Sequence, residues 1–182
     1  MSDKGKKADW LFFGLVIWAL GFSLFGGKFL SRLSLLGNLF ASQMIYLAPV
    51  LVYLAVGRMD IKDLIPHEKI RLSTVGMTVL FVFLLEPLMT CLNAFTMLFS
   101  RNYVMDMQMG VGEISLPVQL LVIAAVPALS EEFIYRGVFL GSYRQRGILA
   151  SVVLSGLAFG CLHLNFNQFA YAFVLGMAFA LL

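Results

Sequence analysis

Long apolar runs separated by short polar connections dominate the pattern of hydrophobic and polar positions along the chain. A membrane-spanning helix needs about 20 mostly apolar residues to cross about 30 Å of hydrocarbon. The runs are continuous and lack the two-residue alternation of a transmembrane β-strand, so we expect an all-α, polytopic transmembrane helical bundle. The pattern predicts six spans: Trp10–Gly26, Leu36–Gly57, Ser73–Phe99, Pro117–Leu140, Ile148–Leu164 and Phe166–Leu182.

Composition agrees with a membrane protein. Of the 182 residues, 60% are hydrophobic and 13% are charged, whereas a soluble domain is about 45–50% apolar and about 25% charged. The net charge is +3, but the basic residues lie in short connections and form no continuous patch, so we expect no nucleic-acid partner. Cys91 and Cys161 form no CxxC pair, which argues against a disulfide framework or a thiolate metal site. We expect a single membrane domain over residues 1–182, embedded in a lipid bilayer.

The distribution of Lys and Arg predicts the orientation of the chain. Cytoplasmic connections of membrane proteins carry an excess of both residues. With the N-terminus in the cytoplasm, nine basic residues lie inside and three, Lys28, Arg32 and Arg101, lie outside. We therefore predict a multi-pass protein of the cell membrane with a cytoplasmic N-terminus. In that topology Arg58–Leu72 is a polar inner connection and Arg101–Pro117 an outer one.

Three charges interrupt the fourth predicted span, in the stretch SEEFIYRG. Each charge costs roughly 2.5 to 3.5 kcal/mol at the centre of a membrane helix, so pairing is expected. Glu132 and Arg136 are four positions apart, with the acid before the base, which predicts an ion pair on one helical face. Glu131 lies about 100° round the helix and has no obvious partner. Pairing alone would explain Glu132 and Arg136 but not Glu131, which is therefore the candidate general base.

The fifth predicted span contains FGCLH, which ends at His163, the sole histidine in any predicted span. Phe159 lies four residues earlier on the same helical face, and we expect it to stack against or shield the imidazole. A lone histidine on an apolar helix is usually a packing residue, but beside the two glutamates a catalytic role is favoured. A bend at Pro127, or a shift of the predicted boundaries by one turn, would place Glu131 and His163 at the same depth.

Two other polar features have alternative interpretations. Glu86, in the third predicted span, either pairs with Arg136 from a facing helix or faces a polar cavity or the lipid–water boundary. Asn165, Asn167 and Gln168 predict a polar turn between the fifth and sixth spans, with a substrate contact as the less favoured interpretation. Neither feature changes the assignment of the candidate site.

The motifs of the fourth and fifth predicted spans resemble those of a known family. EEFIYR fits the EExxxR motif, and FGCLH fits the FxxxH motif, of the CAAX protease and bacteriocin-processing family (CPBP, also called Abi), which includes the type II CAAX prenyl endopeptidases. The resemblance covers residues 116–182. It implies an intramembrane endopeptidase whose protease core lies in that segment. By this resemblance Glu131 activates water, Glu132 and Arg136 complete or support the site, and His163 helps to bind or orient the water.

The resemblance also implies the partners of the protein. The substrate would be a peptide or protein, either membrane-associated or prenylated. The family is commonly described as metalloprotease, although a metal-free glutamate mechanism is also argued for it, so a divalent metal such as zinc is left open as a cofactor. A catalytic zinc site uses three protein ligands and an open position, and Glu131, Glu132 and His163 would supply three while leaving no separate base.

Two other functional classes are compatible with buried charges. One is a non-catalytic membrane protein of bacteriocin-immunity or scaffolding type that retains the motifs. The other is a proton-relaying transporter, which is disfavoured because the sequence shows no inverted repeat. The endopeptidase remains the leading hypothesis and the immunity or scaffolding protein the alternative.

The family pattern includes a later HxxxN motif that has no counterpart in this sequence. We therefore expect the protease core to be incomplete at its C-terminal end. The prediction is that a longer protein containing this motif is active, whereas the purified 182-residue chain cleaves peptides weakly or not at all. A peptide-cleavage assay on the purified chain tests this, and robust cleavage would contradict it.

Overall fold

The computed structural model describes residues 3–65, 71–101 and 114–182. Within these ranges the chain forms helices and no strand, which confirms the predicted all-α fold. The helices are α1 (Asp3–Phe25), α2 (Gly27–Leu30), α3 (Leu35–Val56), α4 (Leu72–Met97), α5 (Leu116–Arg146), α6 (Ile148–Leu162) and α7 (Phe166–Leu181). A 3₁₀ turn at Ile61–Asp63 follows α3. Most of the predicted outer connection and residues 66–70 of the inner one lie outside the described residues.

Four of these helices, α1, α3, α4 and α5, are long and apolar enough to cross a membrane. They correspond to the first four predicted spans, although α5 continues to Arg146, beyond the predicted end at Leu140. The last two predicted spans are α6 and α7, which are apolar but contain 15 and 16 residues. At 1.5 Å per residue, α6 is about 22 Å long. The chain is a helical membrane protein in which α6 is shorter than α1, α3, α4 and α5.

The fifth helix is not a regular α-helix. It contains two π-helical segments, Leu120–Ala125 and Glu132–Leu140, on either side of the α-helical segment Val126–Glu131. In a π-helix each N–H bonds to the carbonyl five residues earlier, and π segments occur often at functional sites. Pro127 follows the first of them and has no N–H to continue an α-helical ladder. The motif that the sequence predicts to be α-helical therefore enters a π-helix at its second glutamate.

The core lies between α1, α3, α5 and α6. Its largest fully buried side chains are Phe139, Leu15, Leu64, Ile134, Leu162, Val50 and Val138. Along α5, Phe139 stacks on Tyr135 at 6.1 Å and on Tyr143 at 6.2 Å between ring centroids. This row of aromatic rings faces the core, because all three side chains are buried. The inner face of α5 is thus fixed by the van der Waals packing of these rings, which holds helices together in lipid.

Ion pairs connect the N-terminal end of α1 to the end of α5 and to the turn after α3. Arg146 pairs with Asp9, and its guanidinium lies 4.9 Å from the ring centroid of Tyr143. Lys4 pairs with Asp63 at 3.5 Å. These contacts place the N-terminus, the Ile61–Asp63 turn and the C-terminal end of α5 at one end of the bundle. That arrangement agrees with the predicted topology, in which all three lie on the same side of the membrane.

Helices α6 and α7 pack with their backbones in direct contact. A Cβ atom added at Gly176 would lie 2.8 Å from the Cα of Gly156. A Cβ added at Gly156 would lie 3.0 Å from the backbone N of Met177. Small residues at such contacts let membrane helices approach closely, which gives the van der Waals packing that holds them together in lipid. The two short helices therefore form one closely packed pair.

The predicted polar turn between α6 and α7 is only partly correct. The Asn165 side chain accepts a hydrogen bond from the backbone N–H of Asn167 at 3.0 Å and caps the start of α7. The Asn167 side chain, by contrast, is fully buried. Its Nδ2 donates to the hydroxyl of Thr96 at 2.8 Å and to the carbonyl of Asn93 at 3.3 Å. The turn interpretation is wrong for this side chain, because it links α7 to α4.

We predict that Gly176→Ala lowers the free energy of unfolding by about 1–3 kcal/mol, since the added methyl group meets backbone that cannot move aside easily. Thermal unfolding in detergent or nanodiscs measures the change. The matched control is Gly76→Ala on α4, where an added Cβ meets no atom within 4 Å. An equal loss of stability in both variants would contradict the close contact between α6 and α7.

Candidate active site

The second glutamate of the motif pairs with the arginine as the sequence predicts. The Glu132 Oε1 and the Arg136 Nε are 3.4 Å apart. The Glu132 side chain is 52% exposed, whereas that of Arg136 is 11% exposed. The pair therefore joins a carboxylate at the surface of the protein to a guanidinium between helices, and the predicted ion pair is confirmed.

Aromatic rings surround the rest of the guanidinium. The Arg136 Cζ lies 4.9 Å from the ring centroid of Phe159 on α6 and 5.3 Å from that of Phe179 on α7. Both distances are within the roughly 6 Å range of a cation–π interaction. Within the part of the chain that the structure describes, the three guanidinium nitrogens are buried and have no hydrogen-bond acceptor. Arg136 therefore connects α5 to α6 and α7 mainly through the two ring faces.

Glu86 does not supply a second partner for this arginine. Its side chain lies on an exposed part of α4. Among the described residues, the ion pair of Arg136 is with Glu132. The interpretation that Glu86 pairs with Arg136 from a facing helix is therefore wrong.

Glu131, the first glutamate, is partly buried. It lies close enough to Glu132 and Arg136 to interact with both electrostatically. Across the described ranges, however, it forms no salt bridge and no hydrogen bond. The two adjacent carboxylates therefore differ, because one is paired and the other is not, as the spacing of the motif predicts.

His163 lies at the C-terminal end of α6. Its Nδ1 is 2.6 Å from the backbone carbonyl oxygen of Phe159, and the two rings meet edge to face with centroids 4.8 Å apart. The predicted contact between Phe159 and the imidazole is confirmed. Since a carbonyl oxygen only accepts hydrogen bonds, the neutral imidazole carries its proton on Nδ1 and presents the Nε2 lone pair as an acceptor.

Phe159 connects the histidine to the charged motif. Besides His163 and Arg136, its ring contacts Tyr135 edge to face at 4.8 Å between centroids. The hydroxyl of Ser155, one turn earlier on α6, donates to the Tyr135 carbonyl at 2.8 Å. This hydrogen bond uses a backbone acceptor within the π-helical segment of α5. The segments that carry the glutamates and the histidine are thus packed against each other.

Two contacts from α3 complete the surroundings of the site. The hydroxyl of Ser130 donates to Gln43 Oε1 at 2.7 Å, and the hydroxyl of Tyr46 donates to the Leu162 carbonyl at 2.6 Å. Gln43 and Tyr46 are three residues apart, which is a rise of about 4.5 Å along a helix. The contacts therefore place the residues preceding Glu131 and His163 at nearly the same level of the bundle.

Sequence reasoning predicted neither Gln43 nor Tyr46 as part of the site. The available signal was a strongly polar Gln43 inside an apolar span, since polar side chains in membrane helices usually face other helices. The helices that carry Glu131 and His163 pack together, but no hydrogen bond joins the two side chains within the described residues.

The geometry does not fit a three-ligand metal centre. No group of three or more His, Cys, Asp and Glu side chains in residues 3–65, 71–101 and 114–182 is arranged to hold a metal ion. Glu132, one of the three expected ligands, is paired with Arg136. The set of Glu131, Glu132 and His163 is therefore not a zinc site as it is arranged here.

A cavity of about 1150 Å³ lies next to the charged motif, between α4, α5, α6 and α7. Glu132, Arg136 and Arg144 contribute to its wall, together with mostly apolar residues. Neither Glu131 nor His163 is among its lining residues. The paired carboxylate and the arginine thus face this cavity, whereas the unpaired carboxylate lies outside it.

These features define an all-α polytopic membrane protein with two adjacent glutamates, an arginine and a histidine on neighbouring helices. Residues 113–182 match the family described as type II CAAX prenyl endopeptidase Rce1-like. The match includes both motifs, so the relation predicted from EExxxR and FxxxH is confirmed over this segment, and it supports a hydrolase of the protease class. No curated protein and no solved structure is significantly similar to the chain.

We predict that Arg136→Lys lowers the free energy of unfolding by about 1–2 kcal/mol. A compact ammonium cannot stack between the rings of Phe159 and Phe179 as a planar guanidinium does. Thermal unfolding of the purified protein measures the loss. Arg144→Lys is the matched control, since Arg144 is an exposed arginine of the same helix. Equal stability of the two variants would show that the contacts of Arg136 with the two rings do not stabilise the protein.

Proposed function

We propose that the protein is an intramembrane, glutamate-dependent endopeptidase in which Glu131 activates the water that hydrolyses a peptide bond. The match to a family of prenyl endopeptidases supports a protease. In this proposal residues 1–182 form one membrane domain, and residues 116–182 carry the protease core. The observation that carries the proposal is the difference between the two adjacent glutamates.

Glu132 and Arg136 are at salt-bridge distance, so each offsets the charge of the other. Glu131 has no such partner within the described residues. A general base must accept a proton from water, and a carboxylate that is not held in an ion pair is better able to do so. This assigns the base to Glu131 and a supporting role to Glu132 and Arg136.

The proposed reaction uses one water molecule. Its oxygen attacks the carbonyl carbon of the peptide bond while the Glu131 carboxylate takes its proton. The same proton then passes to the departing amine nitrogen as the C–N bond breaks. His163 orients the water through Nε2, because its Nδ1–H is engaged by the Phe159 carbonyl. No step in this sequence passes through a metal ion, since the arrangement of the carboxylates and the histidine does not fit one.

The substrate in this proposal is a peptide at or within the membrane, and a prenylated C-terminal peptide is the first to test, because the matched family is described as a prenyl endopeptidase. We further propose that the protein lies in the cell membrane with its N-terminus in the cytoplasm. The excess of Lys and Arg at the bundle end that holds Lys4, Asp63 and Arg146 supports this orientation.

We predict that Glu131→Gln lowers kcat for peptide cleavage by about 10²–10⁴-fold, because the amide keeps the size of the side chain and cannot accept the proton. Steady-state cleavage of a prenylated peptide by the full-length protein in proteoliposomes measures the loss. Glu86→Gln is the matched control, as it removes an exposed carboxylate from another membrane helix. Cleavage that survives Glu131→Gln would refute the assignment of the base.

A further inference from the structure

One turn of α3 contacts both halves of the proposed catalytic site. Gln43 accepts a hydrogen bond from Ser130, the residue directly before Glu131, at 2.7 Å. Tyr46 donates to the carbonyl of Leu162, the residue directly before His163, at 2.6 Å. The first contact ties α3 to α5 and the second ties it to α6.

Both hydrogen bonds lie in well-packed surroundings. Ser130 is 7% exposed and Leu162 is 1% exposed. The Leu162 carbonyl lies at the C-terminal end of α6, where carbonyls have no partner within the helix. The Tyr46 hydroxyl supplies the donor that this carbonyl would otherwise lack, and it does so one residue away from the imidazole.

Neither hydrogen bond is made to Glu131 or His163, so Gln43 and Tyr46 are not catalytic residues. Their partners are the neighbours of the proposed catalytic residues, so any effect on chemistry passes through the position of the backbone. Single hydrogen bonds between membrane helices contribute little to folding. The position of a catalytic group is much more critical, because a misplacement of about 1 Å can cost 10²-fold in rate.

We propose that Gln43 and Tyr46 are positioning residues that fix Glu131 and His163 relative to each other, by holding α5 and α6 to a single turn of α3. The catalytic part of this inference rests on the proposed endopeptidase function. The helix α3 lies outside residues 113–182, which match the protease family. The alignment of the site is therefore set by a part of the chain that carries none of the family motifs.

The test uses Tyr46→Phe and Gln43→Met, which remove the hydrogen-bonding groups and keep similar side-chain volumes. In the full-length protein we expect each variant to lower kcat for the prenylated peptide by about 10- to 100-fold, with KM changed by less than about twofold. Ser42→Ala is the matched control, because the Ser42 hydroxyl bonds within α3, to the Leu39 carbonyl at 2.7 Å. It should leave kcat and KM unchanged.

A second measurement does not depend on activity. Nitroxide labels on cysteines introduced at Leu129 and Leu164, two exposed positions adjacent to Ser130 and His163, report the distance between α5 and the end of α6 by pulsed electron spin resonance. The other cysteines are replaced first. We expect a narrow distance distribution in the parent protein and in Ser42→Ala, and a broader or shifted one in Tyr46→Phe and Gln43→Met.

The outcomes separate the two proposals. If the parent protein cleaves no peptide, the endopeptidase proposal fails, and the distance distributions alone decide whether α3 aligns the two helices. Unchanged distributions in Tyr46→Phe and Gln43→Met would overturn the positioning role. So would an increase in KM at constant kcat, since that result would indicate a role in substrate binding.

Discussion

Placing a guanidinium between apolar helices costs free energy unless its charge is compensated. The arrangement of the site depends on how this charge is compensated. Arg136 has one half-exposed ion-pair partner, and among the described residues no hydrogen-bond acceptor for its nitrogens, so the faces of Phe159 and Phe179 surround most of its charge. Those rings come from α6 and α7, and the position of both short helices is therefore coupled to the arginine. Because Phe159 also contacts His163, the same ring fixes the histidine.

Much of this arrangement could be predicted from the sequence, because it depends on spacing along a single helix. The continuous apolar runs predict the helices, and the four-residue spacing of Glu132 and Arg136 predicts their ion pair. The same spacing predicts the contact of Phe159 with His163. Interactions of this kind need no knowledge of which helices are neighbours, and the motifs of the site consist largely of such pairs.

The remaining features depend on contacts between distant parts of the chain, which periodicity does not encode. The π-helical segment at Glu132–Leu140 receives a hydrogen bond from Ser155 on another helix. Asn167 has a sequence environment typical of a turn, yet its side chain is buried against α4. The polar residues of α3 face α5 and α6 only because these helices pack together. Each of these features depends on which helices pack against each other.

The length of α6 has a consequence for the surrounding lipid. A helix of about 22 Å is shorter than the roughly 30 Å hydrocarbon layer. Hydrophobic mismatch of this kind is relieved when lipid tails compress around the protein and the bilayer thins locally. The turn that carries His163 ends this helix. A bilayer thinned around α6 would bring the lipid–water boundary closer to the imidazole of His163 and shorten the path for water from bulk solvent to this side chain.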